Sequence, residues 1–217
     1  MLTKWKNLFL HLLYPPRCPA CRAAVAQAGQ WCPACLAAVW RPRRISRTAA
    51  VRSLDGCYCL TDYGGAMRNI LHRLKYNGTL SYSTACQYVI AQFPWMDRLS
   101  HIDLVVPVPL APEKERQRGF NQTDLLFRSW AERHWTWSPV LQRVRMTAAQ
   151  WQLGRQERKE NIKRAFEIKG PHLVQGKHIL LVDDIYTTGT TMEACARALK
   201  QGGALSVTGL VVASNAV

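Results

Sequence analysis

Acidic residues are scarce in this chain of 217 residues: 14 Asp and Glu stand against 29 Lys and Arg, a net charge of +15. Glycine and proline number only 13 and 11 while 48% of the residues are hydrophobic, which excludes a disordered, collagenous or low-complexity protein. Long apolar runs are missing, and nothing approaches the roughly 18–20 residues that span a bilayer. Internal repeats are missing as well. What remains is enough chain for one medium domain with a small appendage and a real core. Its excess charge asks for a polyanionic partner: nucleic acid, an anionic membrane surface or a phosphate-rich substrate.

The charge is concentrated. Residues 1–56 carry nine basic residues and one acid, Asp55, whereas residues 176–217 balance three against three. The same N-terminal quarter holds four of the eight cysteines, spaced Cys18-x-x-Cys21 and Cys32-x-x-Cys35. Each C-x-x-C bends two thiolates toward one centre, and two such knuckles close a tetrahedral four-cysteine zinc site. A structural zinc would organise a segment too small to fold alone; two disulfides in a secreted protein are the alternative. Cys57, Cys86 and Cys195 sit in apolar contexts and read as core residues. Cys57 and Cys59 face one way on a strand through Tyr58.

The N-terminus reads as a short amphipathic helix over 1–13, because His11 interrupts the apolar run and Pro15-Pro16 leads into the cysteines without a cleavage site. It packs on the main domain or touches an anionic membrane. Residues 41–53 read as a basic, polar connector. Strands are expected at 57–63, 104–108, 140–144, 177–185 and 205–213, and helices at 66–76, 80–93, 121–134 and 192–201. A basic loop follows residue 110, and 155–164 is charged and partly helical. Strands alternating with helices predict an open parallel α/β sheet, with a zinc module and linker over 1–55 and the main domain over 56–217.

The most informative stretch is Ile179-Leu180-Leu181-Val182-Asp183-Asp184-Ile185-Tyr186-Thr187-Thr188-Gly189-Thr190-Thr191. It is a buried strand, two acids at its carboxyl end, a Gly/Thr-rich turn, then a helix. Ligands of open α/β sheets bind at that end of the strands. The turn offers N–H groups, hydroxyls and a helix N-terminus to a phosphate. It is not a Walker loop, since no Gly-Lys-Ser/Thr is present. Adjacent acids repel phosphate, so Asp183 and Asp184 are expected to accept from sugar hydroxyls or to help hold a magnesium complex. Phosphate and sugar diol at one turn describe a ribose 5-phosphate.

This stretch resembles the phosphoribosyl-pyrophosphate (PRPP) motif of type I phosphoribosyltransferases, whose fold is a Rossmann-like open parallel sheet with helices on both faces. The resemblance implies that Asp183 and Asp184 hold the ribose hydroxyls and that Thr187, Thr188, Gly189, Thr190 and Thr191 hold the 5-phosphate. Val106-Pro107-Val108-Pro109-Leu110 with Arg116 and Arg118-Gly119-Phe120-Asn121-Gln122 is similar to the ComF competence family. So are Thr147-x-x-Gln150-x-x-Leu153 with Arg158, Asn161 and Phe166, the four-cysteine knuckle after Tyr14-Pro15-Pro16, and Lys75-Tyr76-Asn77-Gly78. Lys75, Arg116 and Arg118 are candidates to contact pyrophosphate or a nucleic-acid phosphate. Thr147, Gln150 and Arg158 lie where these transferases carry a mobile flap.

The ComF family is tied to natural transformation, so the resemblance implies a cytoplasmic protein that assists uptake of single-stranded DNA. A place in the cytoplasm or peripheral to the inner membrane, with DNA-uptake machinery proteins there as partners, goes with that expectation. Arg41, Arg43, Arg44 and Arg47, with Trp5, Trp31 and Trp40 nearby, are candidates to track a DNA backbone and stack bases; packing around a zinc module is the alternative for the tryptophans. Active phosphoribosyl transfer in nucleotide salvage is the second functional reading, although no segment names a nucleobase acceptor. A zinc-ribbon docking module on an inert fold is the third.

Overall fold

The computed structural model describes residues 15–46, 51–76, 81–144 and 165–216. The expected helix over 1–13, the turn at Asn77-Gly78, Arg47, and the flap residues Thr147, Gln150 and Arg158 lie outside the described residues.

A mostly parallel six-stranded sheet forms the centre. Its strands are β1 (Trp40–Ile45), β2 (Gly56–Asp62), β3 (Leu104–Pro107), β4 (Thr136–Trp137), β7 (His178–Tyr186) and β8 (Ser206–Ser214), ordered β1-β2-β8-β7-β3-β4. Every pairing is parallel except β1 with β2. β5 (Leu141–Arg143) and β6 (Phe166–Ile168) form a separate antiparallel pair. The helices are α1 (Pro33–Val39), α2 (Gly65–Tyr76), α3 (Ser81–Ala91), α4 (Pro112–Arg118), α5 (Gln122–Ala131) and α6 (Thr190–Gln201).

The strands read as near-continuous apolar runs because both faces of the sheet are covered. On one face Tyr58, Leu60, Leu180, Val182, Leu210 and Val212 pack with α2, α3 and α5. On the other face Cys57, Cys59, Ile179, Leu181 and Val211 pack with α6 and the β5–β6 pair. Cys57 and Cys59 thus share a face while Tyr58 takes the opposite one, as strand alternation requires. Met67, Ile70, Leu71 and Leu74 supply the buried stripe of α2, and Cys86 and Cys195 are core residues. The α6 helix starts at Gly189 in the left-handed region and stops at Gly202-Gly203.

Two expectations are corrected. The connector over 41–53 begins as a strand: β1 adds antiparallel to the sheet edge, with a register shift between Trp40 and Arg43. Pro42 is tolerated because an edge strand leaves one row of donors unpaired. The segment after residue 110 is not a loop but the short helix α4, which has Pro112 in its first turn and Gly119 at φ 76 past its end. It buries no residue, so it carries no apolar stripe to reveal it.

The chain leaves β7 through α6 toward β8, and leaves β3 through α5 toward β4, in opposite directions along the sheet. Helices α5 and α6 accordingly lie on opposite faces. The carboxyl ends of β3 and β7 therefore flank the switch point of the sheet, where open α/β folds form their ligand crevice.

Candidate functional site

Strand β7 delivers Asp183 and Asp184 to that crevice. Alternation along the strand sends the two carboxylates to different surroundings. Asp184 is 3% exposed and pairs through Oδ2 with Lys75 Nζ at 2.7 Å. Lys75 arrives from the last turn of α2, one turn past the buried Leu71. Asp183 is partly exposed; its Oδ1 accepts from the Asp184 backbone N–H at 2.8 Å. Burial, with the Asp184 charge beside it, pushes Asp183 up to about 8, against the opposing effects of that N–H, Lys75 and the Thr123 hydroxyl. Two carboxylates thus face one lysine, and ionising both leaves one negative charge that no protein cation there neutralises, which is why one of them holds its proton.

The turn after β7 bends at Gly189, φ 76. A Cβ there would run into the Tyr186 phenol, so the position admits only glycine without displacement of that ring. Thr188 and Thr190 hydroxyls lie 2.8 Å apart and are exposed with Thr187. The Glu193 backbone N–H donates to Gly189 carbonyl at 2.8 Å, closing the first turn of a helix of 12 residues whose orphan N–H groups face the same end as the threonines. The turn and the acids are therefore adjacent at one end of the sheet.

Across the crevice, the Val108 N–H donates to Val182 carbonyl at 3.0 Å and fixes the loop after β3 against β7. Asn121 caps α5 by accepting from the Thr123 N–H at 3.0 Å, and its amide reaches Val108 carbonyl at 3.4 Å. This cap brings Thr123, 1% exposed, onto Asp183. Thr123 is a site residue that sequence reasoning missed, although it directly follows the Arg118–Gln122 motif. Arg118 donates to the buried Gln122 at 2.8 Å, which ties it to the first turn of α5. Arg116 is 64% exposed and lies 3.8 Å from Glu113 within α4. Of the three expected phosphate cations, Lys75 meets Asp184, Arg118 is tied to Gln122 at the start of α5 and Arg116 stands in solvent.

The four cysteines converge. The Sγ atoms of Cys18, Cys21, Cys32 and Cys35 lie within 4.8 Å of one another, with Cys21 and Cys32 at 3.6 Å. The first knuckle turns through Arg22, φ 67, whose N–H donates to Cys18 carbonyl at 3.0 Å. Burial acts to raise the Cys18 thiol, but the backbone N–H groups of Cys21, Cys32 and Ala20 bring it down to about 6. Cys35 goes up to about 12 through desolvation and its contacts with the other three thiols. Backbone donors aimed at sulfur and four clustered thiols fit a tetrahedral zinc, which would bind them as thiolates.

The arginines of β1 also bond within the protein. Arg43 donates to the carbonyls of Ser214, Ala216 and Arg41 at 2.8, 3.0 and 3.0 Å, and pairs with Asp62 at 2.9 Å. Arg44 donates to Asp55 carbonyl at 3.1 Å, and Arg41 to Ala37 and Trp40 carbonyls at 2.8 Å. They fasten the edge strand to its surroundings. Trp31 is likewise engaged: it is 1% exposed and donates to Ala85 carbonyl at 3.0 Å, so the packing alternative holds and it offers no face for base stacking. Glu193, 5% exposed, accepts from the backbone N–H groups of Arg52, Ser53 and Leu54 and ties the linker to α6, a role that no motif announces.

Residues 141–216 match the phosphoribosyl transferase domain family, and residues 9–59 match the double zinc ribbon domain. The chain is 34% identical over 203 residues to the DNA utilization protein YhgH of Salmonella typhi, covering 88% of this chain and 86% of that one. Over 155 residues it is 34% identical to the protein of the same name in Escherichia coli, covering 68% and 67%. To the competence protein ComFC of Bacillus subtilis it is 28% identical over 217 residues, covering 92% and 84%. The switch-point acids, the glycine-hinged threonine turn and the clustered thiols are thus a type I phosphoribosyltransferase fold with an N-terminal zinc-binding module, and the chain belongs to the ComF family of competence proteins.

Proposed function

We propose that this protein assists the handling of single-stranded DNA in natural transformation, and that its crevice holds PRPP, or a related phosphoribosyl ligand, together with magnesium. The observation that carries the ligand half is the adjacency of Asp183, Asp184 and the Gly189 turn at the switch point of the sheet. The exposed threonines and the α6 N-terminus would take the 5-phosphate, and the acids the ribose hydroxyls. Magnesium fits the same place because hard carboxylate oxygens are in excess over cations there; when bound it supplies positive charge to the pyrophosphate. Arg118, tied to the start of α5, is the further cation proposed to share that charge. The DNA half is supported by the relatives named for competence and DNA utilization, and by the basic N-terminal quarter. Action in the cytoplasm, peripherally at the inner membrane, belongs to the same proposal; no helix among the described residues is long and apolar enough to cross a membrane.

Calorimetric titration of the zinc-loaded protein with PRPP and magnesium tests it. Saturable binding is expected, weakened at least about tenfold by Asp183→Asn with Asp184→Asn, the loss of roughly two charge-assisted hydrogen bonds. Absence of binding by the unaltered protein, or equal binding by the double variant, refutes the ligand assignment. Pyrophosphate release followed across a panel of nucleobases, with and without single-stranded DNA, separates ligand holding from phosphoribosyl transfer in nucleotide salvage.

A further inference from the structure

A cleft of about 520 Å³ lies between the zinc module and the main domain, and neither Asp183 nor Asp184 lines it. Its walls are Pro19, Ala20 and Arg22 from the first knuckle, and Asn69, Arg73 and Tyr82 from α2 and α3. The volume falls in the usual range for a small-molecule site, roughly 300–1,000 Å³. Arg73 donates to the Tyr82 hydroxyl at 3.1 Å and lies over its ring, 5.7 Å from the centroid. The pair therefore presents a planar cation and an aromatic ring as one unit. Arg22 faces them from the opposite module, placed by the left-handed turn that follows Cys21. Among the described residues, no carboxylate lines it. Residues 1–96 contain twelve Lys and Arg and only two acids, Asp55 and Asp62. Both acids are occupied elsewhere, Asp55 with Lys200 at 2.8 Å and Asp62 with Arg43 at 2.9 Å.

Two guanidiniums, a ring and an amide around a cleft of this size match one chemical unit, an aromatic base joined to a phosphate. We infer that this inter-module cleft binds nucleotides, with Arg22 and Arg73 on phosphate and the Tyr82–Arg73 pair stacked against a base. As the seat of the DNA strand it rests on the reading of single-stranded DNA as a partner, and it moves the contact from the β1 arginines to the cleft. A free mononucleotide carries the same chemistry and is the other source of the ligand.

The test is fluorescence anisotropy of a short labelled oligothymidylate with the full-length, zinc-loaded protein. Arg22→Ala with Arg73→Ala is expected to weaken binding about tenfold or more, and to reduce the salt slope by about 1.4, the value for two single-strand phosphates. Tyr82→Ala should weaken binding several-fold, and Tyr82→Phe should keep most of it. Arg133→Ala, which removes an exposed arginine from another surface, should stay within about twofold. Unchanged melting temperatures confirm that the variants fold, and Arg73→Lys gives a charge-conserving check. Equal losses for Arg133→Ala and the double variant would reduce the effect to diffuse charge and overturn the cleft, while leaving DNA binding itself standing. Thymidylate should displace the oligonucleotide at concentrations where inorganic phosphate of matched ionic strength does not. Equal displacement by phosphate overturns the stacking, and equal affinity for polyglutamate overturns the nucleotide assignment. If no oligonucleotide binds at all, the DNA reading fails; the cleft then stands only if thymidylate binds it in an Arg22- and Arg73-dependent way.

Discussion

Replacing Lys75 with methionine removes the cation that faces Asp184 while keeping the length of the side chain. The Nζ–Oδ2 separation is 2.7 Å and the two side chains are 18% and 5% exposed. At an effective dielectric of about 20, two unit charges at that distance attract by about 6 kcal/mol. Desolvating Lys75 and Asp184 offsets much of this, and breaking such a pair by removing one partner typically costs about 3–5 kcal/mol. Asp183, which lies near 8, is mostly protonated near neutral pH and so adds little repulsion to Asp184 once the lysine is gone. The expected net loss is therefore about 2–3 kcal/mol near neutral pH, a fall of about 5–10 °C in Tm for a chain of this size. Urea unfolding of Lys75→Met, Asp184→Asn and the double variant measures it as a cycle. The double variant should recover at least about 1 kcal/mol over Lys75→Met, since it leaves no unpaired charge at Asp184. Lys75 also acts to lower Asp183, so its removal should cost more at about pH 8 than at about pH 5. A Lys75→Met protein within about 0.5 kcal/mol of the unaltered one, or one not rescued by Asp184→Asn, refutes the reasoning.

Asp183 gives a second prediction with the opposite sign. Its folded value is raised from the usual carboxylate range to about 8, so its contribution to stability is full below about pH 4 and is lost as pH rises through about 8. Asp183→Asn, whose amide oxygen can still accept from the Asp184 N–H, should match the unaltered protein near pH 4 and exceed it by about 1–3 kcal/mol above pH 8; a variant less stable at high pH counts against it. Trp31 gives a third. Trp31→Ala should cost about 3–5 kcal/mol and Trp31→Phe about 1–3, the latter through an unpaired Ala85 carbonyl. Zinc chelation should mimic undocking by red-shifting tryptophan fluorescence while the far-ultraviolet dichroism of the sheet persists, and an unchanged spectrum after proven zinc loss removes the structural role.

The parts that were legible in the sequence are those whose physical cause is local. Ile179 to Val182 declares a doubly covered strand by having no polar alternate, and Gly189 is needed by a backbone turn visible in the Thr-Thr-Gly-Thr-Thr run. Met67, Ile70, Leu71 and Leu74 carry their helix in their spacing. What was not legible are cases where side chains satisfy distant backbone. Arg43 looks like linker charge, yet its partners include the carbonyls of Ser214 and Ala216. Periodicity contains no term for a carbonyl about 170 residues away. Exposed α4 fails for the opposite reason: with nothing buried, only Pro112 and Gly119 mark its ends. Thr123 and Glu193 were missed because their roles are set by what folds onto them.

The grip of Arg43 on Ser214 and Ala216 also sets an order of events during synthesis. Strand β2 lies between β1 and β8, pairing Gly56 with Thr208 and Cys57 with Gly209. The zinc knuckles can fill as soon as Cys35 leaves the ribosome, but the strand that follows them has no complete place in the sheet until β8 emerges. Closing so long a loop is slow. For most of translation the metal-loaded module therefore waits on the nascent chain with its strand incompletely held. A chain stalled before residue 206 would carry a built zinc module whose β1 lacks the Ser214 and Ala216 carbonyls that Arg43 grips.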